Sequence, residues 1–151
     1  MKPQLFLRIA SVLTLIHSVL HTIGGVFGKP LPGPGEQAVA AMKTNQFLFM
    51  GNSRSYWDFY MGMGLGVTIF LTADAIVLWL LASLAKTDAA RLRPILWVYA
   101  FGYLVFALNS YRYLFLFPVI TEILIALCLI LAIAAARQPA AEASQTPVAD
   151  L

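Results

Sequence analysis

The stretch Asn52-Ser-Arg-Ser-Tyr-Trp-Asp-Phe-Tyr-Met-Gly-Met-Gly-Leu-Gly66 sets a charged, aromatic cluster directly against an apolar run. Ser55 with Asp58 three residues later has the form of a capping box, so a helix is expected to start at Tyr56. Tyr56, Trp57 and Tyr60 suit a membrane–water boundary. Gly62 and Gly66, about one helical turn apart, predict a face that another helix backbone can approach closely. The stretch reads as the entry of a transmembrane helix.

The rest of the chain agrees with that entry. Of 151 residues, 60% are hydrophobic and only 11% are charged, where a soluble domain would carry about a quarter charged. The expected fold is all-α: one integral membrane four-helix bundle over residues 1–136, with spans at about 5–27, 56–86, 94–114 and 117–136. Residues 137–151, rich in Ala, Pro, Ser and Gln, read as a disordered tail. The single cysteine, Cys128, excludes an intramolecular disulfide and sits in an apolar run. A net charge of +3, spread along the chain with no basic block, argues against nucleic acid as a partner.

The first span also has the charge layout of a signal peptide, with Lys2 and Arg8 before an apolar core. His17 and His21 inside it, and no clear Ala-x-Ala site, favour a retained helix. On a helical wheel Ser11, Thr14, His17, Ser18, His21, Thr22 and Gly25 fall within an arc of about 140°. Lipid offers no hydrogen bonds, so this polar stripe is expected to face other helices or a wet cavity. Between the first two spans, Gly28 to Gly35 is too rich in Pro and Gly for a helix. A short helix is expected from Glu36 to Met50, ending at Gly51, with Phe47 to Met50 along the membrane surface.

With four spans, one side carries Lys2, Arg8, Lys86, Arg91, Arg93 and Arg137, and the other Lys29, Lys43, Arg54 and Arg112. The richer side, with both termini, is expected to be cytoplasmic, in the inner (plasma) membrane. Threading the spans alternately then places His21, Asp58, Asn109, Arg112 and Glu122 in one outer layer about 10 Å thick. His17 lies nearer mid-membrane, and Asp74 falls in the inner half. Arg54 and Tyr60 belong to the same outer region.

Each of these residues also has a plain structural reading. Asp58 can simply cap its helix. Arg54 and Arg112 can anchor at the interface. Glu122 needs a partner, because a carboxylate in hydrocarbon is costly, and His21, Asp58, Asn109 and Arg112 are the expected candidates. His17 and His21 have the spacing of a helical metal pair, and two histidines are too few for a closed site unless Glu122 or Asp58 completes it. No metal and no cofactor is expected. Gly62, Gly64 and Gly66 follow no strand and precede no Lys-Ser/Thr, so they form no phosphate loop.

The segments His21-Thr-Ile-Gly-Gly25, Ser53-Arg-Ser-Tyr-Trp-Asp-Phe-Tyr60 and Tyr111-Arg-Tyr113 resemble a family of small bacterial four-span membrane proteins. The resemblance covers about residues 5–136 and implies a four-helix membrane bundle without supplying an activity. In size and span count alone the chain is similar to DoxX-like proteins and to sterol-isomerase-type bundles.

Three functions stay open on the sequence. The first is a binding module whose outer half holds a polar-floored pocket for a small amphiphile, lipid- or quinone-like, walled by Tyr56, Trp57, Tyr60 and Tyr103. The second is a membrane enzyme in which His21 and Glu122 or Asp58 move protons on an apolar substrate. The third is a structural subunit whose glycine face docks on another membrane protein. The expected partners are the lipid bilayer and either that amphiphile or that protein.

Overall fold

In this computed structural model, which describes residues 2–136, the chain forms five helices and one small hairpin. Four helices are long and apolar enough to cross a membrane: Pro3–Val26, Tyr56–Leu84, Ala89–Tyr113 and Leu116–Ala135. The expected tail, 137–151, lies outside the described residues.

The first span is an α-helix, α1 (Pro3–Leu20), whose last turns widen into a π-helix, His21–Val26. A short surface helix, α2 (Pro34–Thr44), follows, with no buried residue. Here the structure corrects the sequence. The helix expected to run to Met50 stops at Thr44, and Gln46–Phe49 (β1) pairs antiparallel with Asn52–Ser55 (β2). Two causes are visible. The Asn45 and Gln46 side chains donate to the carbonyls of Ala41 (2.7 Å) and Lys43 (3.3 Å), capping α2 early. Met50 and Gly51 both take positive φ, 49° and 82°, the turn whose twist matches a two-residue hairpin.

Strand β2 feeds without a gap into α3 (Tyr56–Leu84). The expected capping box forms. The Ser55 N–H and hydroxyl donate to Asp58 Oδ2 (2.7 and 3.0 Å), and the Asp58 N–H donates back to Ser55 Oγ (3.2 Å). The next span, α4 (Ala89–Tyr113), starts earlier than the expected 94. Asp88 caps it by accepting from the Arg91 N–H at 3.3 Å. Pro94 sits inside this helix, where its missing N–H costs one bond close to the start. The last span is α5 (Leu116–Ala135).

Helix α1 packs on α3 and on α5, and α5 packs on α4, so the order around the bundle is α3, α1, α5, α4. Consecutive helices usually neighbour one another, but α3 and α4 scarcely touch along their length. One apolar core joins all four spans toward the α3–α4 turn, through Leu7, Ala10, Leu78, Ala82, Leu96, Ala100, Ile125 and Leu129.

Candidate functional site

The polar stripe of α1 turns inward and divides between two neighbours. One part forms an antiparallel ladder with α3. Ser11 Oγ donates to the Ala75 carbonyl (2.6 Å), and Ser18 Oγ reaches Thr72 Oγ1 (2.9 Å) and the Thr68 carbonyl (3.1 Å). Thr22 meets Thr68 (2.9 Å), His21 Nε2 lies 3.0 Å from the Gly64 carbonyl, and the Tyr60 hydroxyl donates to the Gly25 carbonyl. Bonds of this kind between membrane helices contribute about 0.6 kcal/mol each, so the ladder sets register more than it supplies strength.

The other part of the stripe, Thr14 and His17, faces α4 and α5. The Tyr103 hydroxyl on α4 lies 3.3 Å from Thr14 Oγ1 and 3.4 Å from Asp74 Oδ2 of α3, joining three helices at mid-span. His17 stacks on Phe106 with ring centroids 6.1 Å apart, and its Nε2 lies 3.8 Å from Glu122 Oε1. Glu122 is fully buried and accepts a 2.9 Å hydrogen bond from Ser110 Oγ. Its Oε2 and the Nδ1 of His17 have no hydrogen-bond partner. Two charge-neutral arrangements suit the pair, imidazolium beside carboxylate or imidazole beside carboxylic acid. They differ only in where one proton sits, and either avoids a lone charge in hydrocarbon.

The expected outer cluster does not assemble around Glu122. Asp58 is occupied by Ser55, and His21 by the Gly64 carbonyl. Asn109 is exposed, while its neighbour Ser110 points inward. Arg112 is exposed, with its guanidinium 5.9 Å from the Tyr113 ring centroid. Glu122 meets His17, one helical turn from the expected His21, and Ser110 in place of Asn109, where one residue is about 100° around a helix. Arg54 is exposed, bonds the Ser53 carbonyl (2.9 Å), and with Asp58, Gly62 and Phe59 lines a shallow groove at the hairpin end of α3. His17 and His21 are engaged by different helices, His17 by α5 and His21 by α3.

The glycine expectation is also corrected. Nothing lies within 4 Å of a Cβ built at Gly62 or at Gly66. The close approach is at Gly64, where a Cβ would sit 3.0 Å from Val26 Cγ2 of the π-turn.

Where α3 and α4 fail to meet, a cleft of about 430 Å³ opens, lined by Val67, Phe70, Leu71 and Asp74 of α3 and Val98, Tyr99, Gly102, Tyr103 and Phe106 of α4. It faces sideways, toward where lipid lies. Its wall is apolar except for the Asp74 carboxyl and the tyrosine hydroxyls. Gly102, Phe106 and Ser110 carry no signal in the sequence that marks them as site residues. An acid in the middle of an apolar span was the signal available for Asp74.

Compared with family models, with curated proteins and with solved structures, the chain matches none. The functional reading therefore rests on the site itself.

Proposed function

We propose that this chain is a multi-pass protein of the inner (plasma) membrane, with both termini cytoplasmic, that binds a small amphiphile in the cleft between α3 and α4. The observation that carries this reading is the cleft: two consecutive membrane helices held apart, with a polar floor at Asp74 and Tyr103 beneath an apolar mouth. Binding sites for small molecules have this composition, mostly apolar walls with a few convergent polar groups. An amphiphile would enter laterally from the bilayer, its body against Val67, Phe70 and Val98 and its polar end toward Asp74. The orientation is supported by six Lys and Arg on the terminal side against four on the other.

A membrane enzyme is the second reading, favoured by the buried His17–Glu122 couple, which suits acid–base chemistry. Phe106 lines the cleft and stacks on His17. That ring stands between the couple and the cleft, which places binding ahead of turnover.

Gly102 supplies the test. It lines the cleft, and a Cβ there meets nothing within 4 Å. Gly102→Leu should fill the cleft without straining the bundle. Native mass spectrometry of protein extracted in mild detergent should show a retained amphiphile in the wild type and its loss in Gly102→Leu at unchanged melting temperature. Equal retention by both would place the ligand elsewhere and end this reading.

A further inference from the structure

We infer that the amphiphile of the α3–α4 cleft is a cation, a lipophilic amine or quaternary ammonium whose charged end sits against Asp74. This rests on the binding reading above and names the ligand class.

Three observations carry it. Asp74 lies near the middle of a span, and among the described residues the only acid–base pairs within 4.0 Å are His17–Glu122 and Arg91–Asp88. No Lys, Arg or His nitrogen therefore approaches its carboxyl within the 4.0 Å of an ion pair. Its polar neighbours are two tyrosine hydroxyls, Tyr103 at a long 3.4 Å and Tyr99, and neither carries a charge. Glu122, by contrast, has both Ser110 and His17, so the bundle compensates one of its membrane acids and leaves the other facing a cavity.

The second observation is the wall. Phe70, Tyr99, Tyr103 and Phe106 supply four aromatic rings to the cleft, and no Lys or Arg lines it. Ring faces attract ammonium groups, most strongly where water is excluded, by about 2 kcal/mol or more. The third is the separation of functions along the cleft. The tyrosine hydroxyls alone could hold a neutral carbonyl or hydroxyl. An added acid at mid-membrane is costly when ionised, and a cationic ligand is the kind that offsets that charge.

The test compares two probes of one shape: a dodecyl chain ending in trimethylammonium, and the same chain ending in the isosteric, neutral tert-butyl group. Binding of each radiolabelled probe is measured to the full chain in phosphatidylcholine nanodiscs, against empty discs, so that no lipid charge favours the cation. The cation should bind at least tenfold more tightly than its neutral isostere. Asp74→Asn, which keeps shape, should remove that preference and leave tert-butyl binding unchanged. Tyr99→Leu should weaken the cation alone, by about threefold. If Asp74→Asn does not fold, the two probes on the wild type still decide. Equal binding of both would overturn the charge inference while the amphiphile reading stands. A cation preference that survives Asp74→Asn would overturn it as well. Binding of neither probe above empty discs would remove the amphiphile reading and this inference with it.

Discussion

His17 Nε2 lies 3.8 Å from Glu122 Oε1, bringing the first and last spans together around the one acid–base pair that lies inside the membrane-spanning helices of the described residues. Removing His17 leaves Glu122 with Ser110 as its one polar partner, and removing Glu122 leaves the buried His17 ring with none. His17→Ala and Glu122→Ala should each destabilise the bundle by about 1–3 kcal/mol, and the double substitution by less than their sum. The coupling expected from residues in contact is about 0.5–3 kcal/mol. Unfolding by SDS in mixed micelles measures all four corners of the cycle, and a coupling of zero would mean that the pair is contact without interaction. Glu122→Gln keeps an acceptor for Ser110 and should cost less than Glu122→Ala.

At Gly64 the π-turn of the first span presses on α3, and a side chain has Val26 in its way. Gly64→Leu should lower stability by about 1–3 kcal/mol, the cost of overpacking a formed contact. Gly62→Leu and Gly66→Leu should stay within about 0.5 kcal/mol of wild type, since both look into open space. Melting temperatures in detergent rank the three. A loss at Gly62 matching that at Gly64 would contradict the packing described.

Met50 holds a positive φ of 49° at the hairpin turn, a conformation that side chains with a Cβ resist. Met50→Gly should therefore stabilise the hairpin by up to about 1 kcal/mol, close to a fivefold change in its opening equilibrium. Amide exchange across β1 and β2 should slow accordingly. Faster exchange would show that the Met50 side chain supplies more than its backbone costs.

The orientation has a direct measurement. A reporter active only in the cytoplasm should work when fused after Leu151 and fail when inserted between Lys29 and Lys43. The reverse pattern would invert the bundle and put the α3–α4 turn outside.

Hydropathy was enough to place the four spans, because crossing hydrocarbon demands length and apolarity that few sequences supply by accident. The Ser55–Asp58 cap was legible for a similar reason: local chemistry at fixed spacing needs no tertiary context. The inward turn of the α1 stripe followed from lipid's lack of hydrogen-bonding groups. What failed was azimuth and partner. Ser110, not Asn109, meets Glu122, and Gly64, not Gly62 or Gly66, meets α1. Both outcomes depend on how α4 and α3 rotate against helices that a single sequence does not align. The hairpin was missed because Asn52-Ser-Arg-Ser55 has no alternation to mark a strand, and its turn sets Met where Asn or Gly would signal it.

The turn at 85–88 joins α3 to α4 in four residues, while their far ends are tied to different partners, α3 to the π-turn and hairpin and α4 to α5. The cleft is thus a wedge pinned at its apex. A body lodged at the level of Asp74, near mid-span, spreads the wedge partway out from that pin. Whatever small spreading it causes is magnified toward the opposite face of the membrane. There the β1–β2 hairpin leads directly into the first turn of α3, at the end where that spreading is largest.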